Sequence, residues 1–446
     1  MKRRWAVLLA TIMAVGSLAG CGSSKGDVAS NNVTPENNTG NTESGAKPIT
    51  IDFWNSWTGS DGETLIAKVD EFNKTNPYGI TVNMDISSSF AEKLSTSLPT
   101  GEAAPLVLLG AADRFGYQEY LLDMNDIWEN TSLKEADFNE NAMSAMKIDD
   151  DLYSIPFQNS MYYLYWNKDL FEAAGLDPET PPQNYEEWTE MASKITDKSK
   201  NVYGSGLIMS FGNHEMCMMQ MLSGRLVTKA DDGKWSVNIK DNDGVKQYLE
   251  WMKGEFDSGD NPADNGIESM FNAGQIGLMV NGPWHAAGAK DAGINFGMTK
   301  IFGKEPVGDV AGFFITSSAS EEEKVAAEKF IEWWYTGNEG TPIEETGAGV
   351  WSTELGFPTA YLPLADTDAY KNDEKLAALS LDDNSNESIW IVTDPEFPGW
   401  AETISVVSTM TESVVFDTPI DEAMATAQET CEEIVKNYAG DDALVK

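Results

Sequence analysis

The stretch between residues 49 and 109 constrains the fold most. Residues 49–54, Ile-Thr-Ile-Asp-Phe-Trp, alternate apolar and polar at a period of two, which predicts a strand. Leu65, Ile66, Val69 and Phe72 follow the spacing of one helix face over 65–73, and Asn76-Pro77-Tyr78-Gly79 stops the pattern. Residues 80–86 alternate again, 90–98 read as a second helix, and Leu106-Val107-Leu108-Leu109 is a short apolar run suited to a buried strand. Strand, helix, strand, helix, strand with short connections argues for parallel units, so the expected fold class is α/β. Buried strands are also expected at 276–280 and 311–316. A helix is expected from an N-cap at Ser320, with Glu323 three residues on, to Tyr335, and another over 420–438.

The chain has 446 residues, enough for two or three domains. Its 72 Asp and Glu against 30 Lys and Arg leave a net charge of −42, which repels phosphate backbones, so nucleic acid is not an expected partner. Two histidines, His214 and His285, and three cysteines argue against His-based catalysis and against a multi-His or four-Cys metal site; no metal or cofactor is expected. Cys217 and Cys431 read as two buried thiols, a bond between them requiring that they meet in space.

The N-terminus reads as an address. Lys2, Arg3 and Arg4 precede an apolar stretch over 5–15 that is too short to span a bilayer, and residues 1–20 are expected to be a secretory signal. Leu18-Ala19-Gly20-Cys21 resembles a bacterial lipobox, which implies cleavage before Cys21 and lipidation of that residue. Residues 22–47 are rich in Gly, Ser, Asn and Thr and lack aromatics, the composition of a flexible tether with a reach of roughly 30 Å. The expected location is the extracytoplasmic face of a bacterial cell membrane, with the lipid at Cys21 as the anchor.

Four segments then carry a resemblance. Asp113-Arg114-Phe115-Gly116 follows the third strand. Tyr153-Ser154-Ile155-Pro156 leads to Leu164-Tyr165-Trp166-Asn167-Lys168-Asp169-Leu170. Residues 271–284 read Phe-Asn-Ala-Gly-Gln-Ile-Gly-Leu-Met-Val-Asn-Gly-Pro-Trp, and Val310 to Trp334 is a strand followed by a Glu/Lys-rich helix. In this order they resemble the extracellular solute-binding proteins of ABC importers, in the carbohydrate-binding family that includes maltose-binding protein. The resemblance implies a two-lobed periplasmic-binding-protein-like fold with a hinge-linked cleft. It places lobe I at 48–158 plus 302–357 and lobe II at 159–301 plus 358–446. It further implies a monomeric receptor without enzymatic activity that passes a carbohydrate, expected to be an oligosaccharide, to permease subunits.

A sugar offers apolar ring faces to aromatics and hydroxyls to carboxylates and amides. Fourteen tryptophans supply stacking material, although large aromatics usually fill cores. Trp57 lies in a Gly/Ser-rich segment just past the first strand, where open α/β sheets bind ligands, with Ser56 and Asp61 beside it. The resemblance assigns Asp113 and Arg114 to hydroxyl binding and Trp284 to stacking. Ser160 falls where maltose-binding protein has a ligand-binding glutamate, a departure that puts the maltose-type contact in doubt. Gln158 and Tyr162 lie one strand period either side of it. His214 opens a helix that faces ligand in the family. Trp351, in the segment 347–352 read as a loop, and Trp400, before a helical run, complete the candidates.

Two other readings stay open. The same fold can hold a non-sugar ligand: adjacent tyrosines suggest iron(III), while a phosphorylated polyol would want more cations than Arg114 alone. A surface glycoside hydrolase would use paired carboxylates, but no motif singles out a pair.

Overall fold

The computed structural model describes residues 48–445 apart from 58, 88, 112, 210, 211, 231, 264, 265, 304, 305, 374, 375, 377–388, 391–396 and 398. Cys21 and the tether lie outside the described residues.

The strand Ile49–Asn55 runs parallel to Ile80–Ile86 on one side and to Leu106–Gly110 on the other. The first of these neighbours has the limits expected from its alternation. The helix between them runs Ser60–Thr75, longer than expected: Gly59-Ser60-Asp61-Gly62 starts the helix instead of continuing the loop, and Asp61 and Glu63 sit in its first turn, favourably placed for the helix dipole. The sheet continues through Pro306–Ile315, antiparallel to Leu106–Gly110, to Ile389–Trp390 at its edge. The helix Glu321–Thr336 covers it, with Phe330 packing on Phe53 and Phe72 at 5.8 and 5.0 Å between ring centroids. Its start carries both halves of the expected capping box between Ser320 and Glu323.

A second sheet has the order Phe296–Lys300, Tyr163–Asn167, Ile276–Asn281, Tyr203–Gly206. Ile276–Asn281 is buried along its whole length, as its continuous apolar run requires. The helices Gly212–Ser223, Asp243–Ser258, Trp400–Val415 and Ile420–Ala439 enclose the main core beside this sheet. Cys217 and Cys431 lie buried there and are not bonded.

The two sheets nucleate separate cores. One draws on residues between 51 and 157 and between 310 and 376; the other draws on residues between 162 and 301 and between 397 and 435. The expected return to the second lobe at residue 358 is therefore corrected. Ala360, Tyr361, Leu364, Tyr370 and Leu376 still fill the first core. Tyr361 packs on Phe138 at 5.3 Å and Tyr335 at 5.1 Å, and the Asn139 amide donates to the Ala360 carbonyl at 2.8 Å.

The crossing strands Ser154–Met161 and Pro306–Ile315 pair with each other, with register shifts between Val307 and Asp309 and between Ala311 and Gly312. Helices of the second lobe reach the first. The helix Gly212–Ser223 packs on Pro306–Ile315, and the helix Trp284–Asp291 packs on Ser60–Thr75 and Gly347–Leu355.

Candidate ligand-binding site

Trp284 is the residue on which both cores converge: it is partly buried and packs against each. The turn before it is held rigidly. Asn281 is fully buried; its Oδ1 accepts from the Gly282 amide at 2.8 Å and its Nδ2 donates to Glu268 at 2.7 Å. The Tyr165 hydroxyl donates to the Gly282 carbonyl at 2.7 Å. The indole lies directly on Gly282, so that a methyl there would fall inside the ring at Cζ3, Cη2 and Cε3. Tyr162 meets Trp284 edge-on at 5.8 Å and His214 edge-on at 4.5 Å. Burial pushes the His214 imidazole well below its ordinary pKa, so at neutral pH the trio carries no charge. A neutral aromatic cluster with ring edges and one imidazole suits an uncharged, partly apolar ligand.

On the first lobe, Trp57 packs on Phe157 at 5.8 Å, and its amide donates to Asn55 Oδ1 at 3.0 Å. Ser56 beside it is exposed. Asp61 is buried, accepts from the Gly62 amide at 2.9 Å, and has its pKa raised by desolvation. Asp113 opens the short helix Asp113–Tyr117 and accepts from the Gly110 amide at 3.1 Å; desolvation raises its pKa to about 6.

Four expected contacts, Arg114, Trp351, Gln158 and Trp400, are instead seated inside the lobes. Arg114 is fully buried; its Nε donates to the Lys147 carbonyl at 2.8 Å and its other guanidinium contacts include the Ala111 carbonyl and the Phe115 ring. It braces the lobe instead of facing a ligand. Trp351 lies in the helix Gly347–Leu355, not in a loop, and is 1% exposed among Phe157, Trp334 and Phe357. Its indole N–H donates to Gln158 Oε1 at 2.8 Å, which ties Gln158 to the first core as well. Trp400 is the first residue of Trp400–Val415 and is buried in the second core. Ser160 lies in the crossing strand with its backbone opposite Asp309.

Two asparagines that no motif singled out also stand out, Asn55 at the end of the first strand and Asn159 in the crossing strand. Asn55 and Asn159 are both 0% exposed, and neither the Nδ2 of Asn55 nor either side-chain polar atom of Asn159 has a hydrogen-bond partner. Only burial combined with unmet hydrogen bonding marks them, and neither is visible in sequence spacing. A separate cavity of about 670 Å³ lies between Phe115, Phe138, Met143 and Lys147 of the first lobe and Lys229 of the second. None of the described residues lining it belongs to the Trp284 cluster.

Two lobes, two paired crossing strands and an aromatic cluster on which both cores converge define a hinged receptor fold. A model of the bacterial extracellular solute-binding protein family matches residues 67–378, and the chain belongs to that family. A maltodextrin-binding protein of Bacillus subtilis is 26% identical over 439 residues, covering 94% of this chain and 92% of its own. An ABC substrate-binding protein of Listeria monocytogenes, solved in complex with cycloalternan, superposes with a TM-score of 0.69 at 21% identity, covering 88% of this chain and 99% of its own. A Mycobacterium tuberculosis protein solved with glycerophosphocholine superposes with a TM-score of 0.71 at 18% identity, covering 88% of this chain and 100% of its own. The solved structures share the fold while their ligands differ. Among the described residues, no helix is long and apolar enough to cross a membrane.

Proposed function

We propose that the protein captures a carbohydrate, an oligosaccharide, between its lobes and hands it intact to the permease of an ABC importer. The observation that carries this reading is Trp284, packed against both cores with Tyr162 edge-on to it and His214 edge-on to Tyr162. An indole that touches both lobes couples a sugar stacked on it to the arrangement of the lobes. Trp57, Ser56, Asp61, Asp113 and Ser160 are the proposed contacts from the first lobe and the crossing strand. The relatives support the ligand class: one is a maltodextrin-binding protein, another a galactooligosaccharide-binding protein.

The other ligands fit less well. Relatives that bind sn-glycerol 3-phosphate match only about a third of the chain. A phosphate would need a cation, and Arg114, the cation expected nearby, is buried and holds main-chain carbonyls. Tyr162 and Tyr163 pack in different apolar clusters and do not form a joint chelate for iron(III). Carriage rather than cleavage predicts no new reducing ends on incubation with oligosaccharide. Lipidation at Cys21 would hold this monomeric receptor at the outer face of the membrane, and Cys21→Ala would release it into the medium.

A thermal-shift screen of residues 48–446 against mono- and oligosaccharides, iron(III) and glycerol phosphate tests the reading. A ligand at about 100 times its Kd adds roughly 2.7 kcal/mol. A shift by one sugar series that disappears in Trp284→Ala supports it. A shift by glycerol phosphate alone overturns the carbohydrate reading.

A further inference from the structure

We infer that the Asn159 side chain is a ligand contact that reads paired hydroxyl groups. The inference rests on the proposed cleft and deepens it.

Asn159 lies at the junction of the lobes. Phe157, two residues earlier, belongs to the first core, and Tyr162, three residues later, belongs to the second. Its strand partner is Val310, on the strand against which the second-lobe helix Gly212–Ser223 packs. The side chain is 0% exposed, yet neither Oδ1 nor Nδ2 has a partner. A buried polar group left without a partner costs roughly 1–3 kcal/mol, and folded proteins retain few of them. Val or Leu would fill a position in a crossing strand with no such cost. An amide in the crossing ladder that folding does not use has a use in another state of the protein.

Its chemistry narrows that use. The amide offers two N–H donors and a carbonyl acceptor. A phosphate or carboxylate only accepts and would leave Oδ1 unmet; a metal ion would leave Nδ2 unmet. Adjacent hydroxyls on a sugar ring both donate and accept, and they satisfy both ends at once. Asn55, with Nδ2 unpartnered at the end of the first strand, repeats the pattern in half measure. Removing an amide that makes two such bonds should weaken binding roughly 10- to 100-fold.

The test compares wild type, Asn159→Leu, Asn159→Ala and Trp284→Ala by melting temperature without ligand and by calorimetric titration with maltodextrin, mannobiose and glycerol 3-phosphate. The expected result is an unchanged or higher melting temperature for Asn159→Leu, with roughly 10- to 100-fold weaker binding of whichever sugar the wild type takes. Full sugar affinity in both Asn159 variants, with binding lost in Trp284→Ala, overturns the inference and leaves the cleft standing. If neither sugar binds wild type, the carbohydrate reading fails and the inference that rests on it is overturned with it. A drop of several degrees in both Asn159 variants marks a structural amide and overturns the inference regardless of ligand.

Discussion

Gly282→Ala adds one methyl group at the point where the indole of Trp284 rests. That methyl would lie inside the ring, against Cζ3, Cη2 and Cε3, whereas carbon atoms settle at about 3.5–4.0 Å. The turn cannot retreat easily, because Asn281 holds the Gly282 amide at 2.8 Å and Tyr165 holds its carbonyl at 2.7 Å. The ring must move instead. Overpacking of this kind costs about 1–3 kcal/mol. The lost edge contact with Tyr162 adds roughly 0.5–1.5 kcal/mol. A tryptophan carries about 150–250 Å², or about 4–6 kcal/mol at 25 cal/mol/Å² if wholly buried; for this partly buried ring roughly half is at stake. The expected outcome is a loss of sugar affinity of about 10- to 100-fold by calorimetry, with a lower melting temperature. The decisive comparison is a double-mutant cycle. In a Trp284→Ala background the methyl meets no ring, so Gly282→Ala should be close to neutral. An equal penalty in both backgrounds would refute the idea that Gly282 acts through the indole.

Further outcomes follow from the same geometry. Desolvation raises the Asp113 carboxyl from 3.8 to about 6. The folded state therefore holds this proton more tightly than the unfolded chain, and the group's contribution to stability falls as pH rises from about 4 to 6 and stays low above that. At about 1.4 kcal/mol per pH unit this amounts to roughly 3 kcal/mol at most. Urea titrations should show Asp113→Asn gaining stability over wild type between pH 4 and 7, and a constant difference across that range would sink the assignment. Arg114→Lys should lower the melting temperature while leaving sugar affinity of the folded protein within about threefold, because the guanidinium braces carbonyls; a large affinity loss without destabilisation would return it to the site. Ser320→Ala removes a capping box and should cost about 1 kcal/mol in urea denaturation with binding unchanged.

Much of the fold was legible because it rests on local periodicity. The strand Ile80–Ile86 and the helix Ile420–Ala439 lie close to where alternation and helical spacing put them. Errors arose where one residue type serves two ends. The segment 347–352 reads as a loop, but its glycines allow close packing: a side chain at Gly347 would strike the Trp334 ring, and one at Gly349 the backbone of Ile343 and Glu344. Trp351 therefore lies in the helix Gly347–Leu355. Trp400 illustrates a different limit, since a sequence does not say which face of a helix turns inward. Trp284 was legible because a whole segment surrounds it with a recognisable pattern. Asn159 was not, since its significance lies in what it lacks.

The discontinuity of the two cores has a consequence for how the protein is made. The strand Pro306–Ile315 is inserted between Leu106–Gly110 and Ser154–Met161, pairing residues about 150 to 210 positions apart in the chain. The second core waits on helices that begin only at Trp400. Neither core is complete until the chain has passed residue 376, and pairings of such high sequence separation form slowly. A fragment covering residues 48–300 is accordingly expected to be digested rapidly by trypsin under conditions where residues 48–446 resist; a protected fragment would show that one lobe closes early. Slow closure keeps the nascent polypeptide threadable, which is the state a secretion channel accepts.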